Sequence, residues 1–247
     1  MKLWKKMALG AACALSLAGV AQAQDAKVLN VATDATFPPF EYYEDGKMTG
    51  FDIEMINALG EKMGREIKWT QIDFKGLVPG LVAKRFDVAV SAIYITDKRK
   101  KVVDFSDTYY PGGLVVLTKA DNTDIKSPAD LAGKKVSVQV GTKSVAYLSE
   151  HHPDAKLVEV EKNEEMFNLV LIGRTDAAVT GKPAALLFAS KNPSIRVIPE
   201  QVTTEQYGIA VRKDLPEVTE AFNKALKEIK ADGTYDALVD KWFGGVK

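Results

Sequence analysis

Cysteine is all but missing from this chain of 247 residues: Cys13 is the only one, and it sits inside an N-terminal apolar segment. Disulfides and thiolate chemistry are therefore excluded from a folded body that follows that segment. Histidine is nearly as scarce. His151 and His152 are the only two, adjacent in sequence and expected at a helix end. A metal centre or a catalytic triad needs side chains converging from several elements, which one neighbouring pair does not supply. Neither a metal nor a cofactor is expected. An excess of charge is missing too, with 33 Lys and Arg against 33 Asp and Glu. Nothing electrostatic points to nucleic acid or to an anionic membrane surface.

One long apolar run is present, and it comes first. Lys2, Lys5 and Lys6 precede Met7 to Val20, and Ala21-Gln22-Ala23 supplies a small-residue cleavage site. This pattern predicts a secretory signal peptide over residues 1–23, too short and wrongly flanked to span a membrane. Cys13 lies within the run rather than at its end, which argues against a lipid anchor. A soluble, periplasmic mature protein is expected. Its balance is 30 basic residues (33 less three leader lysines) against 33 acidic, a net of −3.

What remains is long enough for one large domain or two of about 100 residues each. The stretch Asp87 to Tyr110 organises it. Val88 to Val90 reads as a buried strand, Ser91 to Tyr94 as a loop, and Thr96-Asp97 as the cap of a short basic helix. Arg99 falls one turn in, where its guanidinium could hold a carboxylate by two parallel hydrogen bonds. Upstream, Val28 to Thr33 predicts a strand that ends before Asp34 and Phe37, where two prolines stop regular structure. Phe51, Met55, Leu59 and Met63 form an i, i+4 stripe closed by Gly64. Ile67 to Ile72 predicts a strand, with Trp69 on its buried face, and Leu77 to Lys84 a short helix.

Downstream the alternation restarts. Strands are expected at Gly113–Thr118, Lys134–Val140, Lys156–Val160, Asp176–Thr180 and Ile195–Ile198, with helices between them. Tyr207 to Arg212 is a second extended crossing, and Asp214 is placed to cap a helix carrying Val218, Phe222, Leu226 and Ile229. Strand and helix in alternation argue for α/β units with mostly parallel sheets. Two such blocks joined by two crossings put a cleft between them, and open α/β sheets bind ligands outside the carboxyl ends of their strands. Asp34, the segment from Ser91 to Arg99, Gly141 to Ser144, and Thr180-Gly181 all follow strands.

The segments ATDATFPPFEYYEDGKMTGFDIEM, YITDKRKKVVDFSDTYYPGGLVV, DLAGKKVSVQVGTKS and QYGIAV resemble the polar amino-acid-binding proteins of bacterial ABC importers, the glutamine-binding type above all. The resemblance covers the chain beyond the leader. It implies a type II periplasmic binding fold: residues 24–109 with 209–247 as one lobe and 110–208 as the other, hinged near Tyr109–Gly113 and Glu205–Gly208. It also implies a monomer that hands an amino acid to an inner-membrane ABC permease, with no catalysis. Carried over by residue, Arg99 and Thr142 would hold the ligand's carboxylate. Phe37 and Phe74 would line its side-chain pocket, with Asp34 at the polar end. Ala92 and Tyr94 would face its ammonium, among Ser91, Ile93 and Thr180.

The departures bear on the ligand. Gly181 stands where the family commonly has an aspartate for the ammonium, Gln139 replaces a lysine, and Lys143 a small residue. A buried ammonium without a carboxylate costs several kcal/mol, so either Asp34 takes over or the ligand is unlike glutamine. Tyr94 occupies volume, which favours a small, neutral amino acid. Two rivals stay open. One is an enzyme of the cyclohexadienyl dehydratase type, whose acid would come from Asp34, Asp73 or Glu41, the last two expected as surface or capping residues. The other is a sensory domain presented to a membrane kinase.

Overall fold

The computed structural model describes residues 28–244; the expected leader lies outside the described residues. The first body opens with β1 (Val28–Thr33), a short hairpin of β2 (Tyr42–Glu44) and β3 (Lys47–Thr49), and α1 (Phe51–Met63). The stripe expected on α1 is its buried face, with Phe51, Met55 and Leu59 fully enclosed, and Gly64 closes it in a left-handed cap. There follow β4 (Glu66–Gln71), α2 (Leu77–Val82), β5 (Val88–Ala89), α3 (Asp97–Lys100) and β6 (Val103–Phe105).

A crossing strand, β7 (Tyr110–Pro111), leads to the second body: β8 (Leu114–Lys119), β9 (Lys135–Gln139), α4 (Lys143–His151), β10 (Lys156–Val160), α5 (Asn163–Leu171), β11 (Ala177–Gly181), α6 (Lys182–Lys191) and β12 (Ile195–Gln201). The return crossing, β13 (Gln206–Tyr207), pairs antiparallel with β7 and continues into β14 (Ala210–Arg212), α7 (Pro216–Ala231) and α8 (Thr234–Phe243). Leu215, not Asp214, is the residue before α7. The Asp214 carboxylate is drawn away by Lys84 at 2.6 Å and Arg212 at 3.0 Å.

Each body is one five-stranded sheet, ordered β4-β1-β5-β14-β6 in the first and β10-β9-β11-β8-β12 in the second. In both, four strands run one way and one runs against them. The opposed strand is the one arriving from a crossing, β14 or β8. Chain direction at the crossing thus fixes the exception to the expected parallel sheets.

Register explains how the first sheet is covered. Val31, Val88 and Val211 form one row across it, and Ala32, Ala89 and Ala210 the next. Neighbouring rows face opposite sides of a pleated sheet. The valines pack beneath α1 and α7, while the small alanines admit Leu77, Leu81 and Phe86 on the other side. The two bodies meet at the crossings in an aromatic knot. The Phe243 ring stacks on Tyr110 at 4.3 Å, and Phe40 meets Tyr207 edge-on at 5.2 Å.

Candidate functional site

The carboxyl ends of β1, β5, β9 and β11 converge on a cavity of about 40 Å³ between the two bodies. From the first body its wall takes Phe37, Glu41, Phe74, Ser91, Ala92 and Tyr94. From the second it takes Gln139, Thr142, Lys143, Thr180 and Gly181. Phe37 is held by backbone hydrogen bonds with Glu41 in both directions, and its ring stacks on Phe40 at 5.8 Å. Thr142, Lys143 and Ser144 bring the N-terminus of α4 to the cavity, where unpaired amides and the helix dipole favour an anion. The Thr142 hydroxyl is turned back, donating to the Gln139 carbonyl at 2.7 Å.

Tyr94, Tyr207 and Gly181 fit together as a unit. The two rings stack at 4.5 Å, and the Tyr94 hydroxyl accepts from the Tyr207 hydroxyl and from the Gly113 amide, both at 3.1 Å. Burial pushes the Tyr94 hydroxyl up to about 12. A Cβ at position 181 would lie 2.5 Å from the Tyr207 hydroxyl and 3.4 Å from that of Tyr94. The two phenols occupy the space a side chain at 181 would need. Ala92, beside them, carries a left-handed backbone (φ 43°), and its amide donates to Asp52 at 2.9 Å.

Three residues expected at the site stand elsewhere. Asp34 does not line the cavity. Its carboxylate accepts from Gln71 at 3.2 Å, the Phe74 amide at 3.3 Å and, across the cleft, Gln139 at 2.7 Å. Desolvation raises its pKa, against the opposing pull of Lys162 at 3.5 Å. Ile93 points the other way, fully buried in the cluster with Leu77 and Leu81. Arg99 sits at the rim. The Thr96 hydroxyl caps its helix as expected, but the guanidinium donates to the Tyr94 carbonyl at 2.8 Å and to the Gly141 carbonyl of the other body at 3.4 Å, 5.5 Å over the Phe74 ring. Burial pulls it down to about 10, which leaves it charged at neutral pH.

Glu41 is the residue that sequence reasoning misjudged most, and Asp52 is one it passed over. Far from being a surface residue, Glu41 is fully buried, as is Asp52. The Glu41 carboxyl accepts from the Ser91 hydroxyl at 2.8 Å, and Asp52 accepts from the Tyr109 hydroxyl at 2.9 Å. Tyr207, Asn163 and Met166 also line the cavity. Tyr207 lay in a quoted motif but read as hinge, and the two on α5 gave no signal beyond helical spacing. The bodies are latched by Lys162 to Asp73 at 2.6 Å, Lys75 to Glu161, and Asn163 to Thr36 at 3.2 Å. Among the described residues, no group of three or more His, Cys, Asp or Glu is placed to hold a metal, and no helix is long and apolar enough to cross a membrane.

Residues 29–245 match the model for bacterial extracellular solute-binding proteins, family 3. The chain is 35% identical to the ABC transporter arginine-binding protein 1 of Escherichia coli (strain K12), over 97% of this chain and 99% of that one. Among solved structures, a mutant of ArgBP from T. maritima superposes with a TM-score of 0.86 at 37% identity, covering 91% of this chain and 98% of that one. An ancestral amino acid-binding protein described as a precursor of cyclohexadienyl dehydratase gives 0.83 at 40%, covering 90% and 98%. A two-lobed body whose strand ends enclose a cavity, matched along nearly its whole described length, places this chain in family 3 of the bacterial extracellular solute-binding proteins.

Proposed function

We propose that the protein captures a small amino acid between its lobes, outside the inner membrane, and delivers it as a monomer to an ABC permease. The lobes hinge where β7 and β13 cross, near residues 109–113 and 205–208. The observation that carries this reading is the cavity itself, whose walls come from both lobes. Tyr94 and Tyr207 fill the space beside Gly181, which favours glycine, alanine or serine over glutamine or arginine. The ligand's carboxylate lies at the N-terminus of α4, with Arg99 turning inward from the rim to join it. The guanidinium has five N–H donors, of which two are engaged here, so it gains a partner without leaving one bare.

Calorimetry against the twenty standard amino acids tests the reading. Arg99→Ala is expected to weaken the preferred ligand by about 10- to 100-fold, the scale of a charge-assisted pair. Unaltered affinity would remove Arg99 from the site. A glutamine response far above alanine, serine and glycine would refute the small-ligand assignment. Glu41, a buried acid on the cavity wall, is the one observation favouring a dehydratase. Turnover of prephenate or arogenate separates that reading from transport.

A further inference from the structure

The polar side chains that reach the cavity are neutral or positive. Thr180 and Ser144 are 5% and 3% exposed, both line the cavity, and neither hydroxyl has a hydrogen-bond partner among the described residues. The hydroxyls of Thr33 and Thr219, equally without partners, are sealed from solvent. Those of Thr180 and Ser144 are not sealed, and the cavity is the space they open onto. Gln139 and Asn163, also on the wall, are amides bonded to each other at 3.1 Å. The positive groups are Lys143 on the wall, the N-terminus of α4 and Arg99 at the rim.

The acids close by are turned away or engaged. Glu41 borders the cavity but is fully buried, and its Oε1 takes the Ser91 hydroxyl. Asp34 accepts from Gln71, Phe74 and Gln139, and Glu205 faces Lys143 at 3.4 Å. A wall of this kind suits a carboxylate with a neighbouring group that both gives and takes hydrogen bonds. A hydroxyl does both. An ammonium donates alone, and its charge has to be desolvated against neutral oxygens.

We propose that the cavity also binds small 2-hydroxy acids, which carry a hydroxyl where the amino acid carries its ammonium, and that Thr180 receives this group. Ser144 lies in the first turn of α4, on the side of the carboxylate, which leaves Thr180 at the end of β11 for the 2-substituent. The inference rests on the capture reading above and widens its ligand class.

The test is calorimetry of wild-type protein with three pairs of equal carbon skeleton: glycine and glycolate, L-alanine and L-lactate, L-serine and L-glycerate. In the pair that binds most tightly, the hydroxy acid is expected within about tenfold of its amino acid, or tighter. Thr180→Val keeps a β-branched residue in the strand and should weaken both members of that pair by about 2- to 10-fold, the worth of one hydrogen bond. A hydroxy acid more than about tenfold weaker than its amino acid, or unchanged affinities in Thr180→Val, overturns the inference and leaves the amino-acid reading standing. Should Thr180→Val not fold, the wild-type pairs decide alone. Hydroxy acids bound without amino acids would keep the inference and overturn the amino-acid reading. If no member of any pair binds, both fall.

Discussion

Adding one methyl group at position 181 tests the geometry of the site most directly. In Gly181→Ala the new carbon would lie 2.5 Å from the Tyr207 hydroxyl, 3.3 Å from the Phe37 ring and 3.4 Å from the Tyr94 hydroxyl. The last two contacts are tight but can be relieved by small shifts. The first cannot, since Tyr207 is fully buried and its ring is stacked on Tyr94. Overpacking of this kind costs about 1–3 kcal/mol, which corresponds to about 5- to 150-fold in affinity. Phe37 and Tyr94 come from the opposite lobe, so an open cleft relieves part of the crowding. Binding is therefore expected to suffer more than the melting temperature of unliganded protein. Tyr207→Phe removes the offending oxygen at the cost of one hydrogen bond to Tyr94, about 1 kcal/mol. Gly181→Ala with Tyr207→Phe should then bind better than Gly181→Ala alone, a coupling that calorimetry on the full double-mutant cycle measures. Wild-type affinity in the single variant, or losses that merely add, would refute the packing argument.

Phe37→Ala should lower both affinity and melting temperature, by about 3 kcal/mol in stability, because the ring is stacked on Phe40 and buried as well as lining the cavity; an unchanged melting temperature would detach it from the core. Gln139→Ala removes the donor that joins Asp34 across the cleft, at about 1–3 kcal/mol to the closed form, and small-angle scattering should show a larger mean radius; an unchanged radius would mean the latch does not hold the lobes. Burial pushes Asp52 up to about 6 and Glu41 well above its ordinary range, so the folded state keeps protons that the unfolded chain gives up. Stability from this pair therefore falls as pH climbs from about 4 through 6 and beyond, by up to about 1.4 kcal/mol per unit for each group. Urea unfolding should show the stability of Glu41→Gln relative to wild type rising between about pH 5 and pH 8; a constant difference would refute the raised pKa of Glu41.

Much of the fold was legible in sequence because local chemistry marks it. Gly64 ends α1, and Ser127 with Asp130 forms a capping box ahead of Pro128. Buried strands such as Val88-Ala89 stand out as apolar runs. The map of strand ends likewise led to Phe37, Ser91, Tyr94, Thr142 and Gly181, all on the cavity wall. What stayed hidden depends on distance along the chain. The Asp34–Gln139 bond joins residues 105 positions apart, and no local pattern signals such a partner. Glu41 follows two prolines and precedes the polar hairpin, which is how an exposed acid looks. Its burial follows from Asp52 and Ser91 closing around it. Arg99 was placed on the correct helix, but which carbonyls it meets is decided by how the lobes close.

The aromatic knot at the crossings has a mechanical meaning. Phe243 belongs to the last turn of α8, yet its ring is wedged against Tyr110, Phe40 and Phe51 together. Under the hinge proposed at β7 and β13, an axle stiffened in this way would let the jaws swing about a fixed line without loosening, so that the swing, not slack in the joint, would set how far the mouth gapes. A fusion or cut that disturbed that final turn would retune the gape while leaving every cargo contact untouched, which makes α8 a remote handle on release.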